Sequence, residues 1–152
     1  MIVRQATMDD VSDIVSLNQA FHIDSPGFLW DLPPWIRSEI RQKHFYVSHD
    51  DVGSITGAVS LIPYGDLLIL ETIAVRDDCR KKGIGRQLIQ FSVEYGAQRQ
   101  YRRLVVGSFC EYGLRPFYEG CGFTYDGIEE SLGMPAHQFY MDLRLNYREE
   151  TP

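Results

Sequence analysis

The chain predicts an α/β fold of the α+β kind: a mixed, mostly antiparallel sheet of six to seven strands flanked by about four helices. Three observations carry this. Its 152 residues suit a single domain, spanning residues 1–152, with a sizeable core. Short apolar stretches such as "GSITGAVSLIP" and "DLLILETIAV" have the composition of strands. Between such stretches stand segments whose apolar residues recur every three or four positions, the period of a helix.

In chain order, "MIVRQA" reads as a short strand. "TMDD" follows, with Thr7 as a candidate N-cap and Asp10 three residues on, an acid where a helix N-terminus favours one. Val11, Ile14, Val15, Leu17, Asn18 and Phe21 then mark an amphipathic helix over residues 9 to about 20. The aromatic, Pro- and Gly-bearing run "FHIDSPGFLWDLPPW" predicts a loop, followed by a second short helix near residues 35–42. "HFYVSHD" and "GSITGAVSLIP" form an expected hairpin about Asp50, Asp51, Val52 and Gly53. "DLLILETIAV" is apolar enough to be a central strand. Ile84, Leu88, Phe91 and Tyr95 then space a helix from Gly83 to about Gln98, and "RRLVVGSF" is the next strand. That helix would cross over between two parallel central strands, by rule right-handed. Leu114, Phe117, Tyr118 and Cys121 share one face of a short helix, with Pro116 near its start and Gly120 and Gly122 near its end. "GFTYDGI" and "HQFYMDLRL" close the sheet.

Composition narrows the function. Apolar residues make up 44% and charged residues 24%, an ordinary globular mix. The net charge of -6 argues against nucleic acid and favours cationic or amine-bearing partners. Cys79, Cys110 and Cys121 form no C-x-x-C pair, so neither a disulfide framework nor a metal site is expected, and a reducing cytoplasm is the simplest setting. The polar start of the chain is no signal peptide, and no apolar run nears the about 18 residues that would span a membrane.

One stretch departs from the acidic average. After "TIAV" come Asp77 and Asp78, then Arg80, Lys81 and Lys82, then Gly83-Ile84-Gly85 at the head of a helix. A strand, a tight basic loop and a helix N-terminus form a seat for an anion, because first-turn amides and the helix dipole face it. Glycines at 83 and 85 allow close backbone approach. A P-loop is excluded, since no window fits G-x-x-x-x-G-K-[ST]. A dinucleotide fingerprint fails because Leu88 stands where its third glycine belongs. The pattern V-x(4)-[RQ]-x-x-G-x-[GA] fits, on Val75, Arg80, Gly83 and Gly85. One helix and one strand later, "FYEGCGF" supplies Tyr-x-x-x-Gly-Phe as Tyr118, Gly122 and Phe123. On these two motifs and the order of elements, the whole chain resembles the GNAT superfamily of N-acetyltransferases. Many members carry Asn seven residues before that Tyr, where this chain has Glu111.

The resemblance implies a splayed parallel central strand pair, acetyl-CoA as acyl donor without a metal, and direct attack by a primary amine of a small molecule or peptide in a ternary complex. It places the pantetheine arm on Ile73, Ala74 and Val75, and the pyrophosphate on the loop of Arg80, Lys81, Lys82, Gly83, Ile84, Gly85 and Arg86. It makes Tyr118 the acid for the departing thiolate, a phenol of pKa about 10 facing a thiol of about 8.5; plain core packing beside Phe117 is the other reading. Glu71, a lone carboxylate in a β-run, is the candidate base, directly or through water, unless it sits solvated or ion-paired. His22 is a second candidate base. Phe21, His22, Phe28 and Trp30, with Trp35, could line the acceptor side, with Asp24 or Asp31 attracting an ammonium; they could equally cover the sheet. Members of the superfamily often dimerise, and a homodimer is a further expectation. A non-catalytic coenzyme A-binding module, or a different acyl group, is the alternative.

Overall fold

The computed structural model describes residues 2–144. Met1 and Leu145, expected in the first and last strands, lie outside the described residues. Among the described residues the strands are β1 (Ile2–Gln5), β2 (Phe45–His49), β3 (Ile55–Tyr64), β4 (Leu67–Val75), β5 (Arg103–Phe109), β6 (Thr124–Ser131) and β7 (Met134–Asp142). The helices are α1 (Val11–Gln19), α2 (Pro33–Arg41), α3 (Ile84–Gln98) and α4 (Arg115–Gly120). The strands make one seven-stranded sheet in the order β1-β2-β3-β4-β5-β7-β6. β4 and β5 run parallel, as expected of the strands on either side of α3. The pairs β1/β2, β2/β3, β5/β7 and β6/β7 are antiparallel.

Several boundaries differ from the sequence expectation for identifiable reasons. Asp10 accepts the Thr7 amide at 2.8 Å and both arms of the Arg4 guanidinium at 2.8 and 2.9 Å. A 3-10 turn, Met8–Asp10, therefore precedes α1, and the α-helix starts at Val11. Arg4 holds the Asp10 carboxyl below the usual carboxylate range. Helix α2 starts two residues before Trp35 because Pro33 and Pro34 take its first positions, where a missing amide costs no hydrogen bond. β6 and β7 both shift about their turn, which lies at Leu132–Gly133 with both residues at positive φ.

The chain forms two compact units. One comprises the residues up to Leu61 with Thr72–Leu88, the other Ile62–Glu71 with the chain from Ile89 onward. In the first, Ile14, Leu17, Ile36 and Ile40 of α1 and α2 pack on Phe45, Val47, Ile55, Ala58 and Ala74 of the strands. The β2–β3 turn is tied by Asp50, whose Oδ1 accepts the Val52 and Ser54 amides at 3.1 and 2.9 Å. In the second, Leu68 and Leu70 lie in register with Leu104 and Val106 in the parallel pair, all four buried. Of the expected α3 stripe Leu88 is buried, but Ile84, Phe91 and Tyr95 are only half-buried, and Ser92 and Gly96 are buried instead. At Gly96 a Cβ would meet Leu143 at 2.6 Å and Leu68 at 3.2 Å, so glycine permits the close approach. Leu114 likewise lies outside the face expected of it, 37% exposed ahead of α4.

Candidate active site

The cation–glycine stretch is a braced loop. After Val75, Arg76 donates its amide to the Thr56 carbonyl at 2.8 Å, and its guanidinium to Ile55 O at 2.9 Å and to Asp78 at 2.6 Å. Arg80 donates from Nε to the Val75 carbonyl at 3.3 Å and pairs with Asp77 at 3.0 Å. The two acids therefore brace the arginines, and Arg80 is turned back on its own loop. Lys81, Lys82 and Arg86 are exposed. Lys81 adopts φ 62° and Gly83 φ 83°, both left-handed, which folds the chain abruptly into α3. The helix's first i→i−4 bond runs from the Gln87 amide to Gly83 O at 3.0 Å, so the Ile84 and Gly85 amides precede the ladder. A cradle of left-handed backbone, leading amides and exposed ammonium groups fits the pyrophosphate of coenzyme A.

On β4, Ile73 and Val75 are half-buried and Ala74 is 7% exposed. Ahead of them, the Thr72 amide donates to Ser60 Oγ at 3.0 Å, and the two buried hydroxyls lie 2.6 Å apart. A side chain thus takes a main-chain donor just before the candidate arm-binding residues. Glu71, one residue earlier, is half-buried. It alternates with buried Leu70 and Thr72, so it projects from the other side of the strand.

Tyr118 lies on α4, 3% exposed, with Phe117, Phe123 and Phe139 rings at centroid distances of 5.2, 5.8 and 5.1 Å. Burial, and secondarily Cys121 and Tyr112, push its phenol well above the ordinary tyrosine range. The comparison of an ordinary phenol with a thiol no longer holds, because this phenol is the weaker acid by more. Glu111, at the position where many relatives have Asn, is exposed in a 3-10 turn, Cys110–Tyr112.

The aromatic loop is a cluster. Phe28, 7% exposed, meets Phe21 at 6.4 Å, His22 at 4.9 Å and Trp30 at 5.0 Å. Trp35 packs instead on Phe45, at 5.7 Å, in the core. Asp24 is exposed, but Asp31 is buried and accepts from His22 Nδ1 at 2.7 Å, so its charge is directed at that ring. The fully buried Asn18 donates to the Trp30 carbonyl at 2.8 Å. Sequence reasoning missed both the His22–Asp31 pair and the Ser60–Thr72 pair. The only sign of the latter was a hydroxyl in each of two apolar β-runs; the former had none, its members being nine residues apart in a loop.

Residues 41–125, more than half of the chain, match the model of the acetyltransferase (GNAT) domain, and the protein belongs to that family. No curated protein sequence matches it. Its fold is similar to that of Ard1 from Thermoplasma volcanium (TM-score 0.78, 15% identity, 93% of this chain and 97% of that one). It is similar too to a spermidine N-acetyltransferase SpeG mutant from Vibrio cholerae (0.79, 19%, 99% and 100%). A third such structure is a ribosomal-protein-alanine N-acetyltransferase from Brucella melitensis (0.74, 18%, 94% and 100%). Among the described residues no helix is long and apolar enough to cross a membrane, and no cluster of His, Cys, Asp or Glu is placed to hold a metal ion.

Proposed function

We propose that the protein transfers the acetyl group of acetyl-CoA to a primary amine of a small molecule or peptide, by direct attack in a ternary complex. The carrying observation is the loop from Arg80 to Arg86, a braced anion cradle at a helix start in a chain of this family. When bound, acetyl-CoA supplies an activated thioester carbonyl. Lys81, Lys82, Arg86 and the leading α3 amides hold its pyrophosphate, and the Ile73–Val75 backbone takes the pantetheine arm. Arg80 acts by keeping the loop closed on Val75 O. Tyr118 donates a hydrogen bond to the departing sulfur, and its raised pKa makes complete proton transfer from the phenol the harder route. Glu71 draws a proton from the attacking nitrogen, directly or through water. Phe21, His22, Phe28 and Trp30 face the acceptor. Acceptors of the similar structures, spermidine and a ribosomal-protein alanine, both carry amines, which supports the substrate class. Three free cysteines suit a cytoplasmic setting.

The test is binding and turnover together. At a hundredfold excess over its dissociation constant, acetyl-CoA should stabilise the fold by about 2.7 kcal/mol, a rise in melting temperature of roughly 5–10 °C. Thiol release with an amine panel should follow. A thermal shift without release from any amine would make the protein a coenzyme A-binding module. Release only with a longer acyl thioester would change the donor. No shift at all removes both.

A further inference from the structure

Acetylating an ammonium requires its nitrogen to lose two protons. One must leave before attack, because R–NH3+ has no lone pair. The second leaves once the C–N bond has formed and the C–S bond is breaking, and it balances the proton that the thiolate gains. The first proton has no acceptor within the reaction and must reach solvent. Resting on the acetyl-transfer reading above, we propose that His22, oriented by Asp31, takes that first proton and passes it to bulk water.

The geometry suits that task. His22 Nδ1 lies 2.7 Å from Asp31 Oδ2, with the two side chains 46% and 8% exposed. A neutral ring bonded in this way donates from Nδ1, leaving the lone pair on Nε2 as its free acceptor. Phe28 packs at 4.9 Å in an edge arrangement and fixes the ring from a second direction. The pair therefore has a buried orienting carboxylate and a base that reaches water, the division of labour found wherever a carboxylate holds a histidine for proton transfer. The burial of Asp31 favours it too. Asp31 Oδ1 is buried without a hydrogen-bond donor, as is Oδ1 of Asn18. A buried carboxylate short of donors is costly, so its bond to the ring at 2.7 Å holds His22 in one orientation. His22 and Asp31 also belong to the same compact unit as the Ile73–Val75 strand end and the loop from Arg80 to Arg86. Asp31 is a positioning residue here, and His22 is the catalytic one.

The experiment compares wild type, His22→Ala and Asp31→Asn, with acetyl-CoA as donor. The acceptors are 2-phenylethylamine, 1,4-diaminobutane and a tetrapeptide with N-terminal alanine. The His22 variant should lose roughly 100-fold in kcat/KM for the amine, the scale of one general base. Its acetyl-CoA thermal shift should stay unchanged, although its melting temperature falls because the buried Asp31 loses its bond to the ring. Added imidazole should restore much of the lost turnover, because the removed ring leaves space open to solvent. Asp31→Asn should lower kcat with the donor shift retained, and imidazole should not rescue it, since its own ring is still present. A His22 variant within about twofold of wild type, far short of a general base's contribution, overturns the proposal. So does one that loses the donor shift, or one that imidazole leaves unaffected. Wild-type failure to release thiol with every amine overturns the acetyl-transfer reading itself, and this proposal with it.

Discussion

Tyr118 shows how a single residue serves packing and chemistry in tension. Its ring touches three phenylalanines, and that burial moves its phenol away from the acidity an efficient proton donor wants. The proposed role is therefore a hydrogen bond to the leaving sulfur, and it sets the size of the effect. Replacing Tyr118 with Phe keeps the ring stack and removes only the hydroxyl. Turnover should fall by roughly 10- to 100-fold, at or below the low end of general acid catalysis, while the acetyl-CoA thermal shift stays the same. Steady-state kinetics on the Phe variant checks this, and unchanged turnover would return Tyr118 to a packing role alone. The residue itself was legible from Tyr-x-x-x-Gly-Phe, a local spacing. His22–Asp31 was not, because a contact across a nine-residue loop depends on how the rings of Phe21, Phe28 and Trp30 fold that loop. Local spacing is written in sequence, and loop closure is a tertiary event.

At the scale of elements, the β2–β3 hairpin and the parallel β4/β5 pair followed from apolar runs and the α3 period, since a central strand is apolar nearly throughout and can be read directly. Helix faces were less legible. The α3 stripe was drawn through Ile84, Leu88, Phe91 and Tyr95; Leu88 is buried, but from there the buried line runs through Ser92 and Gly96, residues whose small size permits close packing. Gly57 on β3 makes a similar point, and it bears on function. A Cβ there would stand 2.9 Å from Leu88 Cδ1, 3.0 Å from Ser48 Oγ and 3.1 Å from the Ala74 carbonyl. Leu88 and Ser48 are fully buried and the third contact is backbone, so none can yield cheaply. Gly57→Ala should cost about 1–3 kcal/mol, as overpacking does, and should also weaken acetyl-CoA binding by displacing Ala74. Gly53→Ala is the control. Its φ of 87° makes it strained, but no atom lies within 4 Å, so it should lower the melting temperature without moving the donor's affinity. Thermal melts with and without acetyl-CoA separate the two; equal donor affinity in both variants would detach Ala74 from the donor site.

For the whole molecule, the question is how a chain of net charge -6 binds an anionic donor and a cationic acceptor at once. Distance decides it. Charges further away than about 10 Å are largely screened at 0.1 M salt, so the dispersed acids oppose the donor only weakly. Lys81, Lys82 and Arg86 are exposed on the loop itself, where Asp77 and Asp78 are already engaged by Arg80 and Arg76. Local attraction should therefore exceed global repulsion for the donor, while an ammonium acceptor is drawn by the molecule's overall field. Raising salt from about 0.05 to 0.5 M shortens the screening length roughly threefold, and should raise KM for both substrates. A Lys81→Gly, Lys82→Ala variant should abolish most of the donor's salt dependence and leave that of the acceptor. Glycine at 81 is chosen because its φ of 62° suits glycine without strain, so the change removes charge and not the turn. Initial-rate measurements across the salt series check both slopes. A donor KM that fell with salt would mean that the net charge of the chain outweighs its basic loop, and the pyrophosphate would then have to be held by backbone alone.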